Sequence, residues 1–173
     1  ADLRVVPMEN LVREFGGTRF DGVLSNFGAV NCARDLARTV EEVATLVRPG
    51  GVLLWVPMGR HVPWEWAWYL ARGDWRRARR RYARGGADWR GLRIHYPTPR
   101  ELTALLAPRF DVTAIRPLGA ALPPSYAAGW AETFTRAFDV LARLERRAFR
   151  ARRLGRALAS VADHYLVEAV RRP

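Results

Sequence analysis

The chain has 173 residues, enough for one domain with a buried core, and 49% of them are hydrophobic. Its net charge is +12, carried by arginine with no lysine anywhere, which reads either as a generally arginine-rich surface or as provision for an acidic partner such as phosphate or carboxylate. One cysteine, Cys32, excludes an internal disulfide, metal-ligand spacings are absent, and no apolar run approaches the roughly 18 residues of a membrane span, so the expectation is a soluble cytoplasmic protein.

In chain order, Leu3 to Met8 is a short valine-rich run closed by Glu9 and Asn10, which predicts a buried parallel strand. Leu11 to Phe15 predicts one helical turn. Gly16 and Gly17 interrupt the chain before Phe20 to Leu24, again strand-like. From Asp35 to Val47 the apolar residues Leu36, Val40, Val43, Ala44 and Val47 recur at intervals of three and four, one face of a helix. Pro49, Gly50 and Gly51 stop that helix and lead into a strand over Val52 to Val56. Strand, helix and strand with short turns make a βαβ unit, hence a parallel pair.

Trp64 to Arg84 begins aromatic and ends basic, and predicts a helical insertion broken near Gly73 and closed by Gly85 and Gly86. Leu92 to Tyr96 is a short extended piece, and Pro99 to Leu106 a helix with Thr98 as its cap and proline in its first turn. Phe110 to Pro117 predicts a strand. After Pro123 and Pro124, one long helix is predicted from Ala127 to about Ser160, with a stripe of Trp130, Phe134, Phe138, Leu141 and Leu144. Tyr165 to Val170 is a final strand.

Two signatures carry a resemblance. Phe20, Asp21 and Val23 resemble the Phe-Asp-x-Val of the fourth strand of class I S-adenosylmethionine-dependent methyltransferases. Leu46, Pro49, Gly50 and Gly51 resemble the Leu-x-Pro-Gly-Gly that announces the fifth. Phe110 to Pro117 is similar to that family's sixth strand and Asp163 to Arg172 to its antiparallel seventh, so the likeness covers nearly the whole chain. It implies an α/β fold: a three-layer Rossmann-like sheet, incomplete on its N-terminal side, with a helical insertion over residues 60–96 and a long C-terminal helix before the last strand, all in a single domain over residues 1–173. The acidic-Gly-x-Gly-x-Gly loop that holds the donor is absent. The resemblance therefore implies weak donor affinity for this chain alone, and an edge completed by residues preceding Ala1 or by a second chain.

The same resemblance implies a function, methyl transfer from S-adenosylmethionine to a small-molecule or lipid-like acceptor. Ligands of open parallel sheets sit outside the carboxyl ends of the strands, which assigns Ser25, Asn26, Phe27 and Gly28 to the donor; Met8 and Glu9 resemble the family's adenine-side position. His61 and His95 are candidate bases, since histidine titrates near neutrality, and Asn31, Cys32, Trp64, Trp66 and Tyr96 candidate acceptor contacts. For each, an ordinary core, turn or surface role is the competing reading. Arg76, Arg77, Arg79, Arg80 and Arg81, beside the tryptophans, suit a phosphate or an anionic membrane surface. No nucleic-acid motif accompanies the charge. Two rival functions remain: a degenerate methyltransferase-like interaction subunit, and a peripheral membrane module.

Overall fold

The computed structural model describes residues 3–122 and 135–173. The chain enters as an extended segment, closes one 3-10 turn at Met8–Asn10 and forms helix α1, Leu11–Phe15. The strand predicted for Leu3 to Met8 does not form: Leu3 and Val5 stand almost fully in solvent. Among the described residues no neighbouring strand offers this run a ladder of hydrogen bonds, so its backbone stays in water.

Strand β1 (Phe20–Ser25), helix α2 (Leu36–Leu46) and strand β2 (Val47–Trp55) follow, and β1 pairs with β2 in parallel, Val23 opposite Leu53 and Ser25 opposite Trp55. Helix α2 starts where Asp35 accepts the N–H of Arg38 at 2.9 Å, and its buried face, Val40, Val43 and Ala44, is the predicted stripe. Strand β2 begins earlier than predicted. Its register jumps from Phe20 opposite Val47 to Gly22 opposite Val52, so the Pro-Gly-Gly segment is an irregularity inside the strand instead of the turn before it.

The insertion contains α3 (Pro63–Leu70), α4 (Trp75–Ala78), a 3-10 turn at Arg80–Tyr82 and a hairpin of β3 (Ala87–Trp89) with β4 (Leu92–Ile94). Gly73, at φ 69°, breaks the helices as predicted. Arg90 and Gly91 both have positive φ, 50° and 80°, the geometry of a two-residue hairpin turn. The extended piece predicted at Leu92 is the second strand of this hairpin; its short partner carries no alternation long enough to announce it.

Helix α5 (Pro99–Leu106) opens on a reciprocal cap: Thr98 Oγ1 accepts the N–H of Glu101 at 3.2 Å and the Glu101 carboxylate accepts the N–H of Thr98 at 2.8 Å. Strand β5 (Phe110–Leu118), helices α6 (Thr135–Arg150) and α7 (Arg152–Ala159) and strand β6 (His164–Arg171) complete the chain. Pro123, Pro124, Trp130 and Phe134 lie outside the described residues. The remainder of the predicted long helix is two helices, separated at Ala151 with φ −86° and ψ 105°. Neither proline nor glycine stands at that break, so the sequence pattern has no signal for it. Of the predicted stripe, Phe138 and Leu141 are half-buried and Leu144 is exposed.

The main sheet is mixed, in the order β1-β2-β6-β5, with β6 antiparallel to both of its neighbours. One face carries Leu53, Trp55, Ile115, Tyr165 and Val167 into a core shared with Val40 and Val43 of α2 and with Leu102 and Leu106 of α5. Burying a side chain of this size contributes about 1.5–3 kcal/mol, so the fully buried Leu53, Trp55, Phe110 and Tyr165 anchor β2, β5 and β6. On the other face Arg116 pairs with Glu168 at 2.8 Å and donates to the carbonyl of Phe149 in α6. The outer side of β1 has no neighbouring strand among the described residues. No described helix is long and apolar enough to cross a membrane.

Candidate functional site

The carboxyl ends of β1 and β2 are held side by side. Val56 donates its N–H to the carbonyl of Ser25 at 2.8 Å, and Gly28 donates its own to the carbonyl of Val56 at 2.9 Å. The turn between them is tight enough to force Phe27 to φ 46°, a conformation that costs a non-glycine residue about 1 kcal/mol or more. Its N–H is satisfied by Asn26 Oδ1 at 2.9 Å. The ring is left 80% exposed, edge-on to His164 with centroids 6.3 Å apart. Gly28 follows at φ 76°, and a Cβ there would lie 2.8 Å from Cε of Met58; the space a side chain would need is filled by methionine. Ser25 Oγ is a buried polar atom without a hydrogen-bond partner among the described residues.

Asn31 pins this turn to the rest of the site. It is fully buried, donates from Nδ2 to the carbonyls of Met58 (3.1 Å) and His95 (2.6 Å), and accepts the N–H of Met58 on Oδ1 at 2.8 Å. Its own carbonyl accepts the N–H of His95 at 2.8 Å. Both side-chain N–H bonds are thus committed within the protein, and the residue joins three segments distant in sequence: the β1 turn, the end of β2 and the end of β4.

A cavity of about 370 Å³ opens between that turn and the β3–β4 hairpin, walled by Phe27, Gly28, Cys32, Met58, Arg80, Asp88, Trp89, Ile94 and Tyr96 among others. Its lining is mainly apolar and aromatic with a few polar groups, the usual composition of a small-molecule site. Arg80 adds little free charge because its guanidinium holds Glu65 at 3.2 and 3.0 Å. Glu65 is buried and takes Arg81 as well, at 2.7 Å. Arg81, also buried, continues to Asp163 at 2.7 Å and to the carbonyl of Gly59 at 2.7 Å. Burial raises the pKa of Glu65, but the hydrogen bonds and charges of Arg81 and Arg80 outweigh it and hold the carboxyl below its ordinary value. Asp163 is likewise held low: burial opposes ionisation, and His164 and Arg81 overcome it. Tyr96, under the Arg81 guanidinium at 5.1 Å, has its pKa pushed up by burial against the pull of Arg81, so it stays a neutral phenol at neutral pH.

The structure brings four of the sequence candidates onto this cavity: Phe27, Gly28, Cys32 and Tyr96. Ser25, Asn26 and Asn31 build and pin the turn beside it, and the rest stand elsewhere. Met8 and Glu9 belong to the N-terminal turn, where the Glu9 carboxylate accepts the N–H of Arg34 at 2.6 Å and of Asp35 at 3.2 Å; burial raises its pKa, and those backbone N–H groups bring it below the ordinary value. His61 faces Tyr82, Nδ1 to hydroxyl 2.7 Å. His95 lines a neighbouring depression of about 400 Å³ that shares Tyr96. Trp64 packs against Phe138, centroids 6.2 Å apart, and Trp66 against Tyr82 at 5.5 Å. Arg81, grouped by sequence with a surface-facing basic run, is 6% exposed and committed to its two acids.

Met58, Asp88 and Trp89 are among the wall residues that sequence reasoning missed. Met58 has a legible signal, standing at the end of β2 level with the end of β1. The other two depend on the hairpin. Among the described residues no group of three or more His, Cys, Asp or Glu is placed to hold a metal ion. Comparison with protein-family models gives no match, and comparison with curated proteins gives none either.

Proposed function

We propose that the chain is the acceptor-side part of an S-adenosylmethionine-dependent methyltransferase, acting on a small-molecule or lipid-like acceptor at the cavity beside Phe27, within a three-layer Rossmann-like domain. The observation that carries this reading is the Ser25–Gly28 turn. It leaves the carboxyl end of β1 beside the end of its parallel neighbour β2, where ligands of open sheets collect, and it opens directly on an aromatic-walled cavity. The antiparallel setting of β6 agrees with the place that the resemblance gives the last strand.

The residues present fit one end of the donor. S-adenosylmethionine supplies a methyl group activated by a sulfonium charge, and the exposed ring of Phe27 offers a face suited to a cation. Phe27 orients from the turn, Trp89 and Tyr96 exclude water, and Met58 and Cys32 shape the apolar wall. Alignment is the main service such chemistry asks of a protein. Asp88, on the rim and ion-paired with Arg93 at 3.4 Å, is the carboxylate placed to take a proton from an acceptor hydroxyl or amine. Glu9, which the resemblance sets on the donor's adenine side, is engaged by the backbone N–H groups of Arg34 and Asp35.

Calorimetry of the complete protein with S-adenosylhomocysteine tests the reading. Binding is expected, weakened about tenfold or more in Phe27→Ala and Trp89→Ala. No heat at millimolar ligand supports the rival instead, an interaction subunit that keeps the fold without the donor.

A further inference from the structure

We propose that the tip formed by α3 and α4 is a docking surface for an anionic phospholipid bilayer. The basic run that looks uniform in sequence is divided by the fold. Arg80 and Arg81 turn inward and pair with Glu65 and Asp163, whereas Arg76, Arg77 and Arg79 face solvent together with Arg72. The only acid between Leu70 and Arg79 is Asp74, whose carboxylate is occupied in capping α4 through the N–H of Arg77 at 2.9 Å and pairs with that arginine's side chain at 3.4 Å. Four arginines against one carboxylate leave the tip strongly positive.

Large apolar side chains are exposed within the same tip: Trp75 by 66% and Leu70 by 40%. With Trp66 and Tyr82 they rim a shallow groove of about 410 Å³. Arg72 lies flat on Trp68, its guanidinium carbon 3.3 Å from the ring centroid, so a charge is held beside the apolar surface. Cations ringing exposed tryptophan and leucine match a bilayer interface, where anionic headgroups meet the arginines and the rings sit at the headgroup level. Tyr82 rims both this groove and the depression that holds His95, so a docked chain holds that depression close to the lipid. The docking itself does not depend on methyl transfer.

Flotation of the full chain with vesicles, without any donor, tests the proposal separately from the methyltransferase reading. Binding is expected to phosphatidylcholine vesicles containing phosphatidylglycerol and not to phosphatidylcholine alone. At about fivefold per arginine near the surface, R76Q/R77Q/R79Q lowers partitioning on the order of 100-fold. L70S/W75S lowers it about tenfold or more on the same vesicles, while R143Q/R146Q/R147Q, three exposed arginines of α6, leaves it within a few-fold of the parent. Circular dichroism melts confirm that each variant is folded. Three results overturn the proposal: equal loss in the α6 variant, which makes net charge the cause; full binding by L70S/W75S; or retention on single-stranded nucleic acid with no flotation.

Discussion

Asn31 shows how one side chain decides the shape of the site. Its amide replaces water for two carbonyls and one N–H, and removal leaves each of them buried without a partner, at about 1–3 kcal/mol apiece before relaxation. Asn31→Ala is expected to destabilise the protein by about 2–4 kcal/mol in urea unfolding. The loss exceeds that of Cys32→Ala, a half-buried neighbour with no such bonds. Equal effects of the two changes contradict a pinning role. The sequence marked Asn31 as an acceptor contact because it follows the β1 turn, and proximity was legible there. Burial was not, since it arises from Met58 and His95, 27 and 64 residues further on.

At the scale of elements, β1 is the edge strand of the sheet that leaves large apolar side chains exposed. Its outer hydrogen-bonding edge is open, Leu24 is 66% and Phe20 38% exposed, and a cavity of about 290 Å³ lined by Leu11, Phe15, Val23 and Val43 among others lies against it. An open apolar edge templates pairing with another strand, and a charge placed on it opposes that pairing. Leu24→Lys is expected to abolish concentration-dependent association in sedimentation velocity while leaving the melting temperature within a few degrees. Association that persists unchanged in this variant removes the edge as its cause. Helices α2 and α5 were legible from spacing and caps because those signals are local. The N-terminal strand failed for the complementary reason: a strand needs a partner, and no spacing within Leu3 to Met8 reveals whether one is there.

For the molecule as a whole, the ion-pair network of Glu65, Arg80, Arg81 and Asp163 is the latch between the insertion and the sheet, since Glu65 lies in α3 and Asp163 just before β6. Both acids are held below their ordinary pKa values. Their contribution is therefore complete above the unfolded-state values, near 4.5 and 3.8, and is lost as pH falls through the lower folded-state values. Thermal stability is expected to drop below about pH 4. Glu65→Gln, which leaves Arg81 partly unpaired, costs about 3–5 kcal/mol at neutral pH and flattens the acid limb. A parallel fall of parent and variant between pH 5 and 2, followed by calorimetric melting, counts against the latch.

In helices α2 and α5 and at the break at Gly73 the sequence by itself determined the outcome, because apolar spacing, a cap at Asp35 or Thr98 and a glycine act over a few residues. Which arginines became surface and which became core was decided only when Glu65 and Asp163 met Arg81 across the fold. The cavity wall was settled in the same way: Trp89 joined Phe27 and Tyr96 through a hairpin turn in which Arg90 as well as Gly91 takes a positive φ. Local propensity is additive along a chain, whereas burial and pairing of charge depend on contacts between distant segments, and those exist only in the folded molecule.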